Sequence, residues 1–287
     1  MKLRARGHVF SFPRTPLLMG IVNLGADSFS GDGLPNPADA VVRAEKLVRD
    51  GADIVDVGAE SARTNRPPIS ESEEVDRFGR FFAEWRQSTA RETPLSLNTW
   101  RSEVVRQLLP EGGDLLNDIS GLPTPENASL CARFGAALVI MHTVGEPKVP
   151  HTHVRNEDVM ATLEAFFERR VVDALAAGLD EDSIIIDPGL DFAKQREDNL
   201  QILREFGRLA RFGKPILLPI SRKTVVGEVL GISEPAERDA GTIACLVQGL
   251  LNGAHIFRVH NVRAARQAML TIESLRVPTA GSSSGLQ

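Results

Sequence analysis

The sequence predicts an α/β protein built as a single (β/α)₈ (TIM) barrel, and three observations support this prediction. Eight short apolar runs recur along the chain, each ends on polar or ionisable residues, and each precedes a segment with helical features. In such barrels the carboxyl ends of all eight strands share one face, which carries the chemistry. We expect one barrel domain over residues 1–276 and a flexible, apolar-poor tail over 277–287.

The eight predicted strands are PLLMGIVN, ADIVDVG, PLSLN, DLLND, AALVIMH, SIIIDPG, PILLPISRK and AHIFRVH. The predicted helices cover residues 37–50, 71–87, 102–109, 126–134, 156–177, 197–212, 236–251 and 262–274. Pro37 at the start of the first helix and Gly51 just after its end are typical helix boundary residues. HVFSF predicts a small hairpin beneath the barrel. Three long loops, 24–36, 58–70 and 143–155, follow strands and are candidate substrate covers.

Composition excludes several classes of function. With 33 Lys and Arg against 38 Asp and Glu the net charge is -5, so no general basic surface for nucleic acid is expected. No apolar run is long enough to span a membrane, and the N-terminal segment lacks the apolar stretch of a signal peptide. Cys131 and Cys245 lie in helix-like segments and are interpreted as reduced, buried thiols rather than a disulfide. We therefore expect a soluble, cytoplasmic protein.

Two polar strand ends suggest recognition of a heterocycle. Asp187 ends a run of three isoleucines, where a carboxylate needs hydrogen-bond donors from a ligand or a neighbouring cation. Asn117 offers both an amide donor and a carbonyl acceptor. The alternatives are an internal ion pair for Asp187 and a turn or helix cap for Asn117. Asp118 is expected to bond to the backbone.

The last two strand ends carry cations. Arg258 and His260 are two residues apart, so their side chains lie on the same side of the strand and together form a candidate anion clamp. Lys223, in the segment Ser221 to Lys223, brings a cation to the neighbouring strand end. A solvated lysine, and an Arg and His paired with barrel carboxylates, are the alternatives that remain open.

The first loop, NLGADSFSGDG, contains Asn23, Asp27 and Phe29. Asn23 is placed to reach a ligand diphosphate or its Mg²⁺ ion, and the rest of the loop is suited to close over a ligand. Read alone, the segment is simply a loop rich in Gly and Asp. His142, His151 and His153 have no standard zinc spacing, and we do not expect a metal site there.

Six segments, taken in order, resemble the motifs of the dihydropteroate synthase family over nearly the whole chain. They are MGIVNLGADSFSGDG, GADIVDVGAESAR, LLNDISG, IIIDPGLDFAK, ISRKTVVG and FRVHNV. The resemblance implies a (β/α)₈ barrel that joins 6-hydroxymethyl-7,8-dihydropterin diphosphate to 4-aminobenzoate in folate biosynthesis. It also implies release of diphosphate, a requirement for Mg²⁺, a homodimer, and inhibition by sulfonamides that mimic aminobenzoate.

The resemblance also implies roles for individual residues. The pterin would be bound by Asn98, Asn117, Asp187, Lys223 and Arg258. The diphosphate would be held by Asn23, Arg258 and His260, with Asn23 also facing the Mg²⁺ ion. The aminobenzoate would contact Asp27, Phe29, Arg63, Thr64 and Thr224. The residues expected to carry catalysis are Asn98, Lys223, Arg258 and His260.

The chain departs from the family pattern at several positions, among them Gly25 and Ala26, where Thr-Pro is usual, and Ala62, where Thr is usual. Asn98 stands where the family has an aspartate, which removes a negative charge beside a developing cation unless a neighbour supplies it. Thr64 stands where a proline is usual, and Thr224 replaces a serine that can hold the aryl carboxylate. Asp191 and Ala193 replace glycines. The pterin and diphosphate side is thus largely kept, and the aryl-amine side is altered.

Three functions remain open at this stage. The first is a working dihydropteroate synthase, with lower sulfonamide sensitivity because proline is missing at Thr64. The second is a pterin-binding paralogue that has lost activity through Asn98 or uses another aryl amine. The third is the pterin-binding domain of a corrinoid-dependent methyltransferase, against which Arg258 and His260 argue, since methyl transfer needs no diphosphate clamp.

Overall fold

Eight parallel strands form the centre of the computed structural model, which describes residues 1–25, 33–62, 64, 66–150 and 153–275. An N-terminal hairpin comprises β1 (Lys2–Ala5) and β2 (His8–Ser11). The barrel strands are β3 (Leu17–Asn23), β4 (Ile54–Gly58), β5 (Leu95–Asn98), β6 (Leu115–Asp118), β7 (Ala137–Met141), β8 (Ile184–Asp187), β9 (Leu217–Leu218) and β10 (Ile256–Val259). All eight lie within the predicted apolar runs.

Helices surround the barrel in the predicted alternation with the strands. They are α1 (Pro37–Arg49), α2 (Glu71–Trp85), α3 (Ser102–Glu111), α4 (Glu126–Phe134), α5 (Val159–Ala176), α6 (Arg196–Arg204), α7 (Thr224–Leu230), α8 (Asp239–Leu251) and α9 (Val262–Leu275). The start of α1 shows why the local sequence is helical. Asn36 caps it by accepting the backbone N–H of Ala38 at 3.0 Å, Pro37 occupies the first turn, and Gly51 follows with φ at +105°.

The sheet closes between its first and last strands in spatial order. The order is β8, β7, β6, β5, β4, β3, β10, β9, with neighbours parallel throughout. A bridge joins Ile186 to Ile216, and the backbone N–H of Ile186 donates to Pro215 at 3.0 Å. The barrel prediction is therefore confirmed, and all the polar strand ends lie on one face.

A separate apolar cluster fills the barrel interior below that face. Leu17, Met19, Ile54, Leu115, Val139, Ile185, Leu217 and Ile256 are buried there together with Leu3, Ala5 and Phe12 from the N-terminal segment. The antiparallel β1–β2 hairpin thus covers the bottom of the barrel. The predicted hairpin is confirmed, and it lies at the end of the barrel opposite the polar strand ends.

The structure corrects three helix predictions. Residues 197–212 do not form one helix, because α6 ends at Arg204 and a 3₁₀ helix, Phe206–Phe212, follows. The predicted helix at 236–251 is a 3₁₀ turn, Pro235–Arg238, followed by α8. The sequence prediction also missed α7, because its seven residues span too few turns to show helical periodicity.

Three further predictions concern the cysteines, membrane spans and the C-terminal tail. Both cysteines are free thiols, with Cys131 buried and Cys245 partly buried, as expected. None of the helices in the described ranges combines the length and the apolar character that crossing a membrane would require. The tail predicted at 277–287 lies outside the described residues.

Candidate active site

A cavity of about 630 Å³ opens at the carboxyl ends of the barrel strands. It brings together every predicted site residue in the described part of the chain: Asn23, Thr64, Asn98, Asn117, Asp187, Lys223, Thr224, Arg258 and His260. These residues come from seven of the eight barrel strands or from the segments that follow them. The predicted residues Asp27, Phe29 and Arg63 lie outside the described residues.

Asp56, in the middle of β4, is the charged centre beneath the cavity. Its carboxylate is fully buried and accepts hydrogen bonds from Arg258 Nε at 2.7 Å, Ser96 Oγ at 2.6 Å and Asn117 Nδ2 at 3.2 Å. Asn98 Nδ2 lies 3.4 Å from the same carboxylate. Asp56 therefore supplies a negative charge directly beside the position where Asn98 replaces the expected aspartate.

The two residues predicted to form an anion clamp, Arg258 and His260, both line the cavity, and each is anchored within the protein. Arg258 is ion-paired with Asp56, which is the alternative that the sequence left open. The Ser221 hydroxyl lies 2.9 Å from His260 Nδ1 and accepts the backbone N–H of the same residue at 3.2 Å. Both side chains still line the cavity, so these contacts orient an Arg and a His toward a common space.

Asp187 is buried at the end of β8 and forms no ion pair with any residue that the structure describes. Its Oδ1 accepts the backbone N–H of Gly189 at 2.7 Å. Burial raises the pKa of Asp187 to about 6, against smaller opposing effects of that hydrogen bond and of Lys223, Lys194 and Arg258. A buried carboxyl with this pKa gains by accepting hydrogen bonds from a ligand, and it faces the cavity.

Lys223 also lines the cavity. Its ammonium donates to the carbonyl of Leu190 at 2.9 Å and lies 4.4 Å from the centre of the Phe192 ring. Burial lowers its pKa, while Asp191 and Asp187 act in the opposite direction. The adjacent Arg222 is ion-paired with Asp239 at 2.8 Å and does not line the cavity.

A second buried lysine lies next to Asp187. Lys194 Nζ lies 2.9 Å from His142 Nδ1 and donates to the carbonyl oxygens of Phe192 at 3.1 Å and His142 at 3.4 Å. Burial lowers the pKa of Lys194 to about 7 and that of His142 to about 2. His142 therefore holds the loop residue Lys194 at neutral pH. Among the described residues there is no group of three potential metal ligands.

The opposite wall is held by a buried network of charges. Glu60 accepts from Lys148 at 3.0 Å and from Arg101 at 2.6 Å, and Arg101 also contacts Glu74. Lys148 further donates to the carbonyl of Ser61 at 3.0 Å. This network joins the loop after β4 to the loop after β7, and Thr64 lines the cavity on the same side.

The outer rim contains a carboxylate where the family resemblance led us to expect a glycine. Asp191 has a φ of +64° and accepts the backbone N–H of Thr224 at 2.5 Å and that of Val225 at 3.3 Å. Asn199 Nδ2 donates to the same carboxylate at 3.2 Å. Asp191 thus caps the first residues of α7 on the wall of the cavity.

Four residues of this site were missed by sequence reasoning: Asp56, Glu60, Lys148 and Lys194. Asp56 interrupts an apolar run in its middle rather than at its end, and an aspartate within a buried strand was the signal that could have identified it. The other three occur in loops with no periodic pattern, so their pairing across the barrel mouth could not be read from the sequence.

The fold and the cavity define a class of enzyme: (β/α)₈ barrels that bind a polar heterocycle deep in the barrel and an anionic group at its mouth. Residues 19–260 match the model of the family described as pterin binding enzyme. The dihydropteroate synthase of Synechocystis sp. is 35% identical over 269 residues, which cover 93% of this chain and 92% of that protein.

Solved structures agree with this match. The Yersinia pestis dihydropteroate synthase in complex with a sulfonamide drug has a TM-score of 0.88 and 33% identity, covering 96% of this chain and 99% of that one. The Xanthomonas albilineans dihydropteroate synthase in complex with 7,8-dihydropteroate has a TM-score of 0.83 and 30% identity, covering 96% and 99%. The chain belongs to the dihydropteroate synthase family of pterin-binding enzymes.

Proposed function

We propose that this chain condenses 6-hydroxymethyl-7,8-dihydropterin diphosphate with 4-aminobenzoate, giving 7,8-dihydropteroate and diphosphate. The observation that carries the proposal is the meeting, in one cavity, of a buried carboxyl and amide, Asp187 and Asn117, with the cationic pair Arg258 and His260. A pterin displays hydrogen-bond donors and acceptors along its edge, and its diphosphate needs cations. The two halves of the site match the two halves of this substrate.

The pterin ring is assigned to the deep half of the cavity. Asp187 accepts hydrogen bonds from the donor edge of the ring, and Asn117 and Asn98 offer both donors and acceptors. Lys223 donates to the oxo and ring-nitrogen edge. Because Asn117 is itself held by Asp56 at 3.2 Å, its amide orientation is set before the ligand binds.

Bond cleavage is assisted at the diphosphate half. As the bond between the pterin methylene carbon and the diphosphate oxygen breaks, its electron pair leaves with the diphosphate. Arg258 and His260 stabilise the negative charge that grows there. The aryl amine then supplies the electron pair for the new carbon–nitrogen bond and loses a proton. Asp56 holds Arg258 and places a negative charge below the electron-poor pterin, so it is a positioning residue.

We also propose that Mg²⁺ accompanies the diphosphate. Asn23 provides one amide oxygen at the cavity wall, and the described residues contain no group of three acidic, His or Cys side chains that would form a cage. This donor set fits an ion that is bound chiefly by phosphate oxygens and water. Such an ion neutralises charge on the leaving group when it is bound.

The aryl amine is assigned to the outer rim of the cavity. Thr64 and Thr224 line the cavity there, and Asp27, Phe29 and Arg63 are predicted to complete it. A threonine in place of proline at Thr64 supports the further proposal of reduced sulfonamide sensitivity. Titration of the wild type and Thr64→Pro with a sulfonamide tests this, with a lower inhibition constant expected for the variant.

A homodimer and a cytoplasmic location remain predictions from the family resemblance and from the free cysteines. Sedimentation of the purified protein tests the first, with a mass of twice 31.2 kDa expected.

The decisive experiment follows diphosphate release from the pterin diphosphate with and without 4-aminobenzoate. Release that requires the aryl amine, and that is lost in Arg258→Ala and His260→Ala, is expected. Arg263→Ala is the matched control, because Arg263 is a largely exposed arginine on α9. Pterin diphosphate binding without turnover, rescued by Asn98→Asp, would instead identify an inactive paralogue. Absence of any affinity for the pterin diphosphate would overturn the proposal.

A further inference from the structure

The rim carboxylate Asp191 lies where the second substrate must extend. The amine nitrogen has to reach the pterin methylene at the diphosphate half of the cavity, so the opposite end of the aromatic ring must extend toward the mouth. Phe192 and Lys223 form a flat wall along that path, with the ammonium 4.4 Å from the ring centre. Asp191 and Thr224 line the cavity beyond them.

Asp191 already uses the donors that a substrate carboxylate would need. The backbone N–H groups of Thr224 and Val225 both donate to Asp191, at 2.5 and 3.3 Å. Asn199 makes two further hydrogen bonds to this residue: its Nδ2 donates to Asp191 Oδ1 at 3.2 Å, and its Oδ1 accepts the Asp191 backbone N–H at 2.9 Å. The side chain is therefore fixed as part of the wall.

The backbone conformation shows that this position is specialised. A φ of +64° is a region that glycine adopts readily and that other residues adopt rarely, with Asn and Asp the main exceptions. An aspartate can be accommodated here, and its carboxylate brings a fixed negative charge to the rim.

The two cations that the structure describes on the facing wall are engaged elsewhere. Within the described part of that wall, Lys148 and Arg101 are both buried against Glu60, and Arg101 also contacts Glu74. Both positive charges are therefore neutralised by buried carboxylates. An incoming aryl carboxylate would therefore meet a like charge at Asp191, which already interacts with the Lys223 ammonium and occupies the nearest backbone donors.

We propose that Asp191 is a specificity-determining residue that weakens recognition of the aryl carboxylate, so that neutral para-substituted aryl amines are used about as well as 4-aminobenzoate. This inference rests on the proposed function, since it concerns the second substrate of the same reaction. No bond-forming step changes, because the amine nitrogen and the diphosphate leaving group are the same for both kinds of aryl amine.

The test compares kcat/KM for 4-aminobenzoate and for 4-aminobenzamide, its neutral isostere, by diphosphate release. The wild type is expected to use the two within about threefold of each other. Asp191→Asn and Asp191→Gly, both compatible with a positive φ, are expected to favour 4-aminobenzoate by about tenfold more than the wild type does. The KM for the pterin diphosphate should not change in either variant.

Asp180→Asn is the matched control. Asp180 caps a 3₁₀ helix just before β8, at the opposite end of the barrel, and its side chain accepts the N–H of Asp182 at 2.8 Å. This variant is expected to keep the wild-type ratio of the two amines. Thermal melting of all variants checks that each is folded.

Two results would overturn the inference, and they are distinguishable from each other. Strong preference of the wild type for 4-aminobenzoate, unchanged in both Asp191 variants, would show that the rim carboxylate does not control selectivity while leaving the proposed function intact. Absence of diphosphate release with either amine would overturn the proposed function and this inference together.

Discussion

Arg258 Nε donates a hydrogen bond to Asp56 at 2.7 Å, across the barrel interior from β10 to β4. Asp56 is fully buried, whereas Arg258 is one-fifth exposed and lines the cavity. The contact fixes the position of the Arg258 guanidinium at the cavity wall. Asp56 also places a negative charge next to Asn98 on β5, where the family pattern has an aspartate.

Removal of the Asp56 charge is expected to damage both stability and activity. Asp56→Asn leaves Arg258 buried without a counter-charge, which should lower the free energy of unfolding by about 3–5 kcal/mol. Because Arg258 also loses its orientation, kcat should fall by about a hundredfold or more. Urea unfolding and diphosphate release measure the two effects.

Asp76→Asn is the control for Asp56→Asn, because Asp76 pairs with Arg80 on the exposed surface of α2. Its unfolding free energy should stay within about 1 kcal/mol of the wild type. Equal losses in the two variants would contradict the role given to the buried pair.

Asn98→Asp is expected to change the rate little. Asn98 Nδ2 lies 3.4 Å from the Asp56 carboxylate, so a second carboxylate there adds a like charge to one that is already present. We expect kcat to change by less than about threefold and the unfolding free energy to fall by about 1–3 kcal/mol. A rise in kcat of tenfold or more would show that the Asn98 substitution itself limits the rate.

Lys148→Met is expected to disturb the cavity wall that Glu60, Lys148 and Arg101 hold together, on the side assigned to the aryl amine. The variant removes the Nζ contacts to Glu60 and to the carbonyl of Ser61 and leaves Glu60 only its contact with Arg101 among the observed ion pairs. The KM for the aryl amine should rise several-fold while the KM for the pterin diphosphate stays constant. Lys46→Met, at a half-exposed lysine on α1, is the control. Equal increases in both KM values would contradict this assignment.

The stability of the ligand-free protein should depend on pH through Asp187. Its pKa is raised from 3.8 to about 6, so the protonated carboxyl is favoured in the folded state. This contribution is fully present below about pH 4 and is lost as the pH rises through about 6, where ionisation occurs in a buried position. Over that range the wild type should lose about 2–3 kcal/mol of unfolding free energy relative to Asp187→Asn. A difference in unfolding free energy between the wild type and Asp187→Asn that does not change with pH would contradict this prediction.

The sequence alone determined the barrel and the face that carries the site. Short apolar runs with polar ends are local patterns, and the parallel topology places every strand end at the same edge, so Asn117, Asp187, Arg258 and His260 could be assigned to one cavity before any distance was known. The helix α7 was missed because a seven-residue helix has too little periodicity to be recognised.

Only the tertiary structure decided which charges are available at that face. Asp56 lies 202 residues from Arg258, and Lys148 lies 88 residues from Glu60. Asp191, in the loop after β8, caps Thr224 at the start of α7. No local pattern encodes such pairings, because they depend on the three-dimensional closure of the barrel and on loop conformations such as the positive φ of Asp191. A charge becomes a substrate contact or an internal anchor according to its neighbours, and those neighbours are distant in sequence.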